Sequence, residues 1–419
     1  MDGSISSNNF GTPPGYRRTF LKFMVLSGLA GLGHSSASYA SCNAPSVAFA
    51  MPFNDVSANL AMDTSVYLLG TDFSNGGAHS DLNWLRSVPE FSEIYPELSK
   101  LFSCVPSQEN WDMAYINMLS NAVNTFPSNY SLMVSAFDWV CSESGNPLPY
   151  LSKMHYPNGM AAKLSELFPT RFKWAASVHP ARKDFKALVT KAKKEGALAV
   201  RWWPELQHIN LKAKSSLRAY AVLRDLDIPL FCNMADVGYS RLANEQFFNV
   251  FHLRGALDAG VRVIVEGASN PRLISNLDLD TGWAGYSVPQ VPVWEAFLTL
   301  MQDPQYVGLL FASLAGLGTE TAIPIMSQLV GLTEWHGRLV YGSGYPFFSY
   351  GALNSPYLMA KAGMAPIELA REVAEISKTN PLAADFILKR GLAIKNGGHP
   401  FGTDPIFKPN VFETSPLFG

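Results

Sequence analysis

Short runs of β-branched and aromatic residues alternate along the chain with segments in which apolar residues recur every three or four positions. This alternation predicts a succession of strands and helices. Most of the strand-like runs are apolar throughout, which is typical of strands buried on both faces of a parallel sheet. The eight predicted strands are residues 46–54, 131–138, 172–179, 197–203, 228–233, 262–266, 307–313 and 338–343.

Amphipathic helices are predicted between these strands. Residues 183–195, KDFKALVTKAKKE, place Phe185 and Val189 on one face and lysines on the other. Gly196 then ends this helix. Helices of the same kind are predicted at residues 215–226, 293–301 and 321–330.

The strand–helix–strand order requires parallel pairing, because each crossover returns the chain to the same end of the sheet. Eight such units predict an α/β fold of the closed (β/α)8, TIM-like barrel type. The alternative is an open doubly wound sheet. A dinucleotide-binding version of that sheet has little support, since no Gly-x-Gly-x-x-Gly follows the first predicted strand.

Two segments lie outside this alternation. The connection of residues 57–129 is longer than an ordinary loop and contains helical patterns at residues 84–101 and 111–125. We interpret it as a helical insertion over the barrel mouth. The C-terminal extension contains a helical region at residues 366–392, interrupted at Asn380, and then a stretch rich in glycine and proline.

Composition limits the function classes. The chain has 419 residues, of which 47% are hydrophobic and 16% charged, as in a globular protein of one large or two ordinary domains. The net charge of -2 gives no reason to expect nucleic acid or an anionic membrane as partner. No apolar run reaches the roughly 18–20 residues that span a bilayer, so an integral membrane protein is not expected.

The N-terminal residues predict export. Residues 16–33, YRRTFLKFMVLSGLAGLG, place two arginines before a modestly apolar segment, and residues 38–40 form a small-x-small cleavage site. Arg17-Arg18 followed by Phe-Leu-Lys resembles the bacterial twin-arginine signal, which the export machinery reads. We therefore expect a signal peptide at residues 1–41, a barrel domain at residues 42–419 and a periplasmic location. The alternative is an ordinary amphipathic helix.

The four cysteines leave alternatives open. In an oxidising compartment Cys104 and Cys141 could pair, whereas Cys232 lies in an apolar run and is expected to be buried. Four unpaired thiols are the alternative. Cys42 follows the predicted cleavage site, so lipoprotein anchoring through it is a further alternative.

The strand ends supply the candidate site, because chemistry in a (β/α)8 barrel takes place at the carboxyl ends of the strands. The residues expected to line a pocket there are Phe49, Met51, Asp138, His179, Arg201, Trp203, Asn233 and Gly344. Glu266 and Asp236 are the two weak candidates for a catalytic role.

Several motifs in order resemble the amidohydrolase-related metal-dependent hydrolases, a (β/α)8 superfamily. These motifs are Phe53-Asn54, Ser177-Val178-His179-Pro180, Trp203-Pro204, residues 226–230, 260–265 and 335–339, Gly342-Ser343-x-Tyr345-Pro346, and the tail segments NPLAADFILKRGL, FGTDP and VFET. The resemblance covers nearly all of the chain after the signal. It implies cleavage of C–N, C–O or carboxyl–carbon bonds in small carbonyl compounds, with a divalent metal.

The residues that bind metal in this family are not matched here. The family ends strand one with His-x-His, where this chain aligns Phe49 and Met51. Its histidine after strand five corresponds to Asn233. A second histidine corresponds to Glu266 or to the glycine that follows it, and the aspartate after strand eight corresponds to Gly344. Since a divalent metal needs three or four imidazole or carboxylate ligands, we expect no metal and no other cofactor.

Other residues at the strand ends have structural interpretations. Glu266 ends an apolar strand, and a buried carboxylate is costly unless it is paired. Arg201, where family members often have lysine, is the expected partner. His179 and Asp138 are expected to be hydrogen-bonded capping residues, and Trp203 is expected in an apolar pocket or in core packing.

Three functions follow from the sequence. The first is a barrel without the hydrolytic activity of the family, a pseudoenzyme that binds a small molecule or a protein. The second is a hydrolase or decarboxylase with rearranged ligands, which would need a divalent metal such as zinc. The third is a structural role at the cell envelope. The sequence contains neither the nucleophile motif of a serine hydrolase nor a P-loop. It also contains no stripe of basic and aromatic residues of the kind that binds nucleic acid.

Overall fold

The computed structural model describes residues 61–71, 76–87, 111–235, 244–279, 288–318, 320, 322–348, 354–393 and 404–413. The predicted signal peptide lies outside these residues. So do Cys42, Phe49, Met51, Cys104 and Asp236.

Eight parallel strands form one closed barrel in sequential order. They are β1 Ala61–Tyr67, β2 Tyr130–Ser135, β3 Phe172–Ala176, β4 Ala197–Trp202, β5 Leu230–Asn233, β6 Val263–Glu266, β7 Leu310–Ser313 and β8 Leu339–Val340. A parallel bridge between Val66 and Tyr345 joins the end of β1 to the chain after β8. The amide of Gly344 also donates to the carbonyl of Ser65 (2.9 Å), so the barrel is closed.

Helices connect the strands and cover the outside of the barrel. They are α1 Leu82–Ser87, α2 Trp111–Asn124, α3 Asn158–Leu167, α4 Phe185–Lys194, α5 Pro204–Gln207, α6 Lys214–Asp225, α7 Arg254–Leu257, α8 Val293–Gln302, α9 Ile323–Gly331, α10 Pro356–Lys361, α11 Ile367–Ser377, α12 Pro381–Arg390 and α13 Asp404–Phe407. The predicted helices between the strands are confirmed to within two residues. The helix α11 ends at Ser377, and Asn380 starts the next tail helix, because its side chain accepts a hydrogen bond from the amide of Ala383.

The predicted first strand was placed wrongly. Residues 46–54 lie outside the described residues, and β1 of the ring is Ala61–Tyr67. An apolar run does not mark this strand, because three polar residues, Asp63, Thr64 and Ser65, lie at its centre. All three are nevertheless buried. The connection to β2 therefore begins at residue 68 rather than at residue 57. The other seven strands agree with prediction to within three residues at each end.

The lower part of the barrel interior is apolar. One side chain from each of β2 to β8 forms this layer, and Met62 of β1 packs against it. The members from the strands are Met133, Ala175, Ala199, Phe231, Ile264, Phe311 and Val340. Val411 of the C-terminal segment packs against the same layer, and its carbonyl accepts a hydrogen bond from Arg262 (2.8 Å). The C-terminal segment thus closes the floor of the barrel.

Two further expectations concern thiols and membranes. Cys141 and Cys232 are buried and are free thiols among the described residues, whereas Cys104, the predicted partner of Cys141, lies outside them. Within the described ranges, no helix has the length and apolarity needed to cross a bilayer.

Candidate functional site

The candidate site is the polar layer above the apolar floor. Successive side chains of a strand alternate between faces, so residues two positions beyond the floor residues also point inward. On β4, β5 and β6 these residues are Arg201, Asn233 and Glu266, and each is almost fully buried. The predicted strand ends therefore do meet in one place.

Arg201 and Glu266 form the expected ion pair. The Nη1 atom of Arg201 lies 2.9 Å from Oε2 of Glu266, and their side chains are 1% and 0% exposed. The second terminal nitrogen, Nη2, donates to the carbonyl of Thr64 at 2.8 Å. The Phe231 ring lies against the guanidinium, 3.9 Å from centroid to Cζ. The guanidinium of Arg201 is thus a positive charge held in a fixed position inside the barrel.

Two residues of β1 complete this network, and neither was predicted from the sequence as a site residue. Ser65 Oγ and Tyr67 OH each donate to a different oxygen of Glu266, at 2.5 Å. Asn233 Nδ2 donates to Tyr67 OH (2.8 Å) and to Glu266 Oε1 (3.0 Å). Arg201 Nη1 also donates to Tyr67 OH at 3.0 Å. Both oxygens of the buried carboxylate are therefore fully used by neighbouring donors.

These contacts correct the assignment at the end of strand one. The alternating positions that end β1 and face the interior are Ser65 and Tyr67, rather than Phe49 and Met51. In the sequence, the alternation Ser65-Val66-Tyr67 was the available signal for two polar side chains on one face of a strand. It could not be recognised while the first strand was placed at residues 46–54. Both of these positions carry hydroxyl groups.

Burial fixes the charge states of the network. Burial raises the pKa of Tyr67 well above its usual range, and the negative charge of Glu266 raises it further. Burial alone would lower the pKa of Arg201, but the negative charge of Glu266 and the hydrogen bonds to Glu266 and Tyr67 raise it above its usual value. Tyr67 is therefore a neutral donor and Arg201 a permanent cation.

The donors of this layer do not fit a divalent metal. A catalytic metal takes three or more imidazole or carboxylate ligands. The layer offers one carboxylate, already neutralised by Arg201, with hydroxyls and an amide that donate toward it. Across the part of the chain that the structure describes, no group of three or more His, Cys, Asp or Glu residues could hold a metal ion. A guanidinium at the centre would also repel a second cation.

The turn after β8 shows why an aspartate is absent there. Gly344 has φ +71°, a backbone conformation that favours glycine. A Cβ at this position would lie 2.5 Å from Cδ2 of Phe348. The space that a side chain at position 344 would need is thus taken by the Phe348 ring.

Aromatic rings cover the polar layer. Trp203 packs against Tyr67 (5.4 Å between ring centroids) and Phe347 (5.8 Å). Phe137 and Phe348 also approach Trp203, each at 6.4 Å. All five rings are buried. We call these five residues the aromatic cap, and they separate the Arg201–Glu266 pair from solvent.

Asp138 and His179 brace the strand ends, as expected for capping residues. Asp138 accepts hydrogen bonds from the amides of Trp139 (2.9 Å) and His179 (2.8 Å), and Arg182 lies 3.6 Å away. Burial raises the pKa of Asp138, although Arg182 opposes this effect.

The ring of His179 is engaged on both sides. Its Nδ1 accepts from the amide of Ala181, so Nε2 carries the proton and donates to the carbonyl of Gln207 at 3.1 Å. Burial lowers its pKa to about 4, which keeps the ring neutral at physiological pH. His179 is therefore suited to holding two loops together.

Asp63 braces the closing edge of the barrel. Its Oδ1 accepts from the amides of Ser65 (3.1 Å) and Ser343 (2.9 Å), which links β1 to the chain after β8. Burial raises its pKa to about 7, and the nearby carboxylate of Asp385 contributes to the same shift. Asp385 itself is paired with Lys389 at 2.8 Å.

Of the three comparisons with known proteins, only the comparison with solved structures found proteins similar to this chain. No family model matches the chain, and no curated protein matches it. The chain is similar to a probable 2-pyrone-4,6-dicarboxylic acid hydrolase from Acinetobacter baumannii with citric acid bound. The identity is 16% and the TM-score 0.42, over 72% of this chain and 90% of that one.

Two further structures are similar to the chain. A 5-carboxyvanillate decarboxylase from Novosphingobium aromaticivorans, complexed with manganese, is 14% identical, with a TM-score of 0.39 over 74% of this chain and 91% of that one. An amidohydrolase II is 14% identical, with a TM-score of 0.40 over 78% of this chain and 99% of that one. At these values the likeness transfers neither an activity nor a metal to this chain, and the barrel fold is established by its own strand order.

Removing Glu266 should destabilise the fold. In Glu266→Ala the Arg201 guanidinium would keep its burial and lose its counter-charge, which typically costs about 3–5 kcal/mol. Denaturant unfolding monitored by circular dichroism measures the change. Glu334→Ala, at an exposed position, serves as the control and should stay within about 0.5 kcal/mol of the unmodified protein. An equally small effect at Glu266 would contradict the structural role of the ion pair.

Asp63 should make stability depend on pH. Between the unfolded pKa near 4 and the folded pKa of about 7, the folded protein keeps a proton that the unfolded chain releases. Its contribution to stability therefore falls as pH rises through this window, by at most about 1.4 kcal/mol per pH unit, and is constant above it. Unfolding of the unmodified protein and Asp63→Asn across this range isolates the effect. A stability difference that does not change with pH would contradict this assignment.

Proposed function

We propose that this chain is an exported (β/α)8 barrel protein that lacks metal-dependent hydrolysis and functions by binding, as a pseudoenzyme of the amidohydrolase-related type. The observation that carries the proposal is the buried Arg201–Glu266 pair at the centre of the barrel mouth. It lies where the family resemblance implies a metal centre.

The chemistry of this pair does not generate a nucleophile. A metal acts by lowering the pKa of bound water from 15.7 to about 7. Arg201 has no acceptor for a proton and holds its charge. Glu266, the remaining candidate base, has both oxygens engaged by Ser65, Tyr67, Asn233 and Arg201. A general base must reach the proton that it removes, and this carboxylate is enclosed.

The aromatic cap supports the same conclusion. Trp203 and Phe347 are fully buried above the network, so a substrate would have to displace packed rings before it met the polar layer. Displacing such rings means giving up well-packed apolar contacts. No contact among the described residues favours hydrolysis or decarboxylation through rearranged ligands, and Asp236, the other weak catalytic candidate, lies outside those residues.

Export is the second part of the proposal. It is supported by the order of the N-terminal segments and by Arg17-Arg18 in the twin-arginine pattern. Export by this route would place a folded barrel in the periplasm. The binding function would then be exercised in that compartment.

Metal analysis tests the loss of hydrolysis. Protein purified after growth with added zinc and manganese is expected to contain far less than one metal ion per chain by elemental analysis. Lactones, amides and carboxylated aromatic acids should be turned over no faster than in buffer, with or without a chelator. Stoichiometric metal whose removal abolishes turnover would overturn the proposal.

A reporter tests export. A folded fluorescent protein fused behind residues 1–41 should reach the periplasm, and replacing both Arg17 and Arg18 by lysine should abolish this, because the pair is the recognised address. Lys22→Arg, which leaves the pair intact, is the matched control. Fractionation of cells measures the distribution. Equal export of the double-lysine reporter would refute the twin-arginine assignment.

A further inference from the structure

The outer wall of the barrel carries a groove lined by lysines. It is shallow and open to solvent, and it lies along the exposed side of α4. We call it the lysine groove. Its lining residues are Lys183, Asp184, Lys186, Ala187, Thr190, Lys191 and Lys194.

The helical repeat produces this groove. Phe185 and Val189 turn inward and are buried against the barrel. The lysines at 183, 186 and 194 project outward, and the small side chains of Ala187 and Thr190 leave the space between them open. At 1.5 Å per residue, Lys186 and Lys194 are about 12 Å apart along the helix axis, and Lys183 lies just before the start of the helix.

The positive charge of the groove is largely uncompensated. Residues 183–195 contain five lysines and two acidic residues, in a chain whose net charge is -2. Asp184 is held by Arg182 through two hydrogen bonds of 3.0 Å, so it does not neutralise a lysine. Lys191 lies 3.8 Å from Glu195.

Three lysines remain available. Lys193 donates to the carbonyl of Leu226. Lys183, Lys186 and Lys194 are exposed and form no ion pair with residues that the structure describes.

We propose that the lysine groove docks the protein on an anionic phospholipid surface. All lining residues come from α4 and the two residues before it, so no opposite wall encloses a peptide or a small ligand. A flat array of phosphates can meet all the lysines at once. Each lysine near such a surface contributes about 1 kcal/mol, screened by salt.

Other anionic partners fit less well. The groove contains no arginine, whose planar fork would hold a single phosphate in two hydrogen bonds. It contains no aromatic ring on which a nucleic-acid base would stack. Ammonium groups spaced along a line match a surface of repeated charges.

Vesicle co-sedimentation tests the proposal. The full chain should sediment with phosphatidylcholine vesicles that contain about one third phosphatidylglycerol, should fail to do so with pure phosphatidylcholine, and should be released by high salt. The variant Lys183→Gln/Lys186→Gln/Lys194→Gln should bind at least about tenfold more weakly.

The matched control is Lys212→Gln/Lys361→Gln/Lys408→Gln, which removes the same charge from exposed lysines elsewhere. It should bind anionic vesicles as the unmodified protein does, and thermal unfolding should show that both variants fold. Equal losses in the two variants would overturn the proposal, and so would an absence of vesicle binding. Binding of soluble poly-glutamate without binding of vesicles would assign the groove to an acidic protein and would also overturn it.

Discussion

The structure depends on the satisfaction of one buried charge. Glu266 carries a carboxylate into the barrel interior, where an unpaired charge is strongly unfavourable. Arg201 supplies the opposite charge, and hydroxyl and amide donors from β1 and β5 complete the coordination of the carboxylate. The four strands that contribute are β1, β4, β5 and β6. The same network thus sets both the chemistry of the mouth and the register of half of the barrel.

Other buried polar groups extend this principle to the rest of the ring. Asp63 joins the first strand to the chain after the last, and Asp138 joins the ends of the second and third. In each case a carboxylate accepts from backbone amides. The polar residues at the strand ends therefore serve mainly to fix the strands relative to one another. The polar groups at the mouth of this barrel are therefore occupied with one another.

Periodicity was sufficient to predict most of the fold. Seven strands were recognised because they are mainly apolar, and the tail helices because Asn380 interrupts one pattern and starts another. The first strand was missed because its centre is polar and its burial is decided by tertiary contacts. The ion pair could be anticipated, since Glu266 had to find a partner. Tyr67 could not, because its contact with Glu266 spans 199 positions and depends on the register of the misplaced strand.

The Gly344–Phe348 contact bears on which substitutions the mouth of the barrel can accept. An aspartate at position 344 would collide with an aromatic ring in a backbone conformation that suits glycine, so this change alone would be harmful. Histidines in place of Ser65 and Tyr67 would likewise deprive Glu266 of two donors while Arg201 still occupied the centre. Each single substitution that would place a metal ligand here therefore disturbs packing or hydrogen bonding that the present residues provide. Contacts between neighbouring side chains thus limit which residues can occupy the mouth of the barrel.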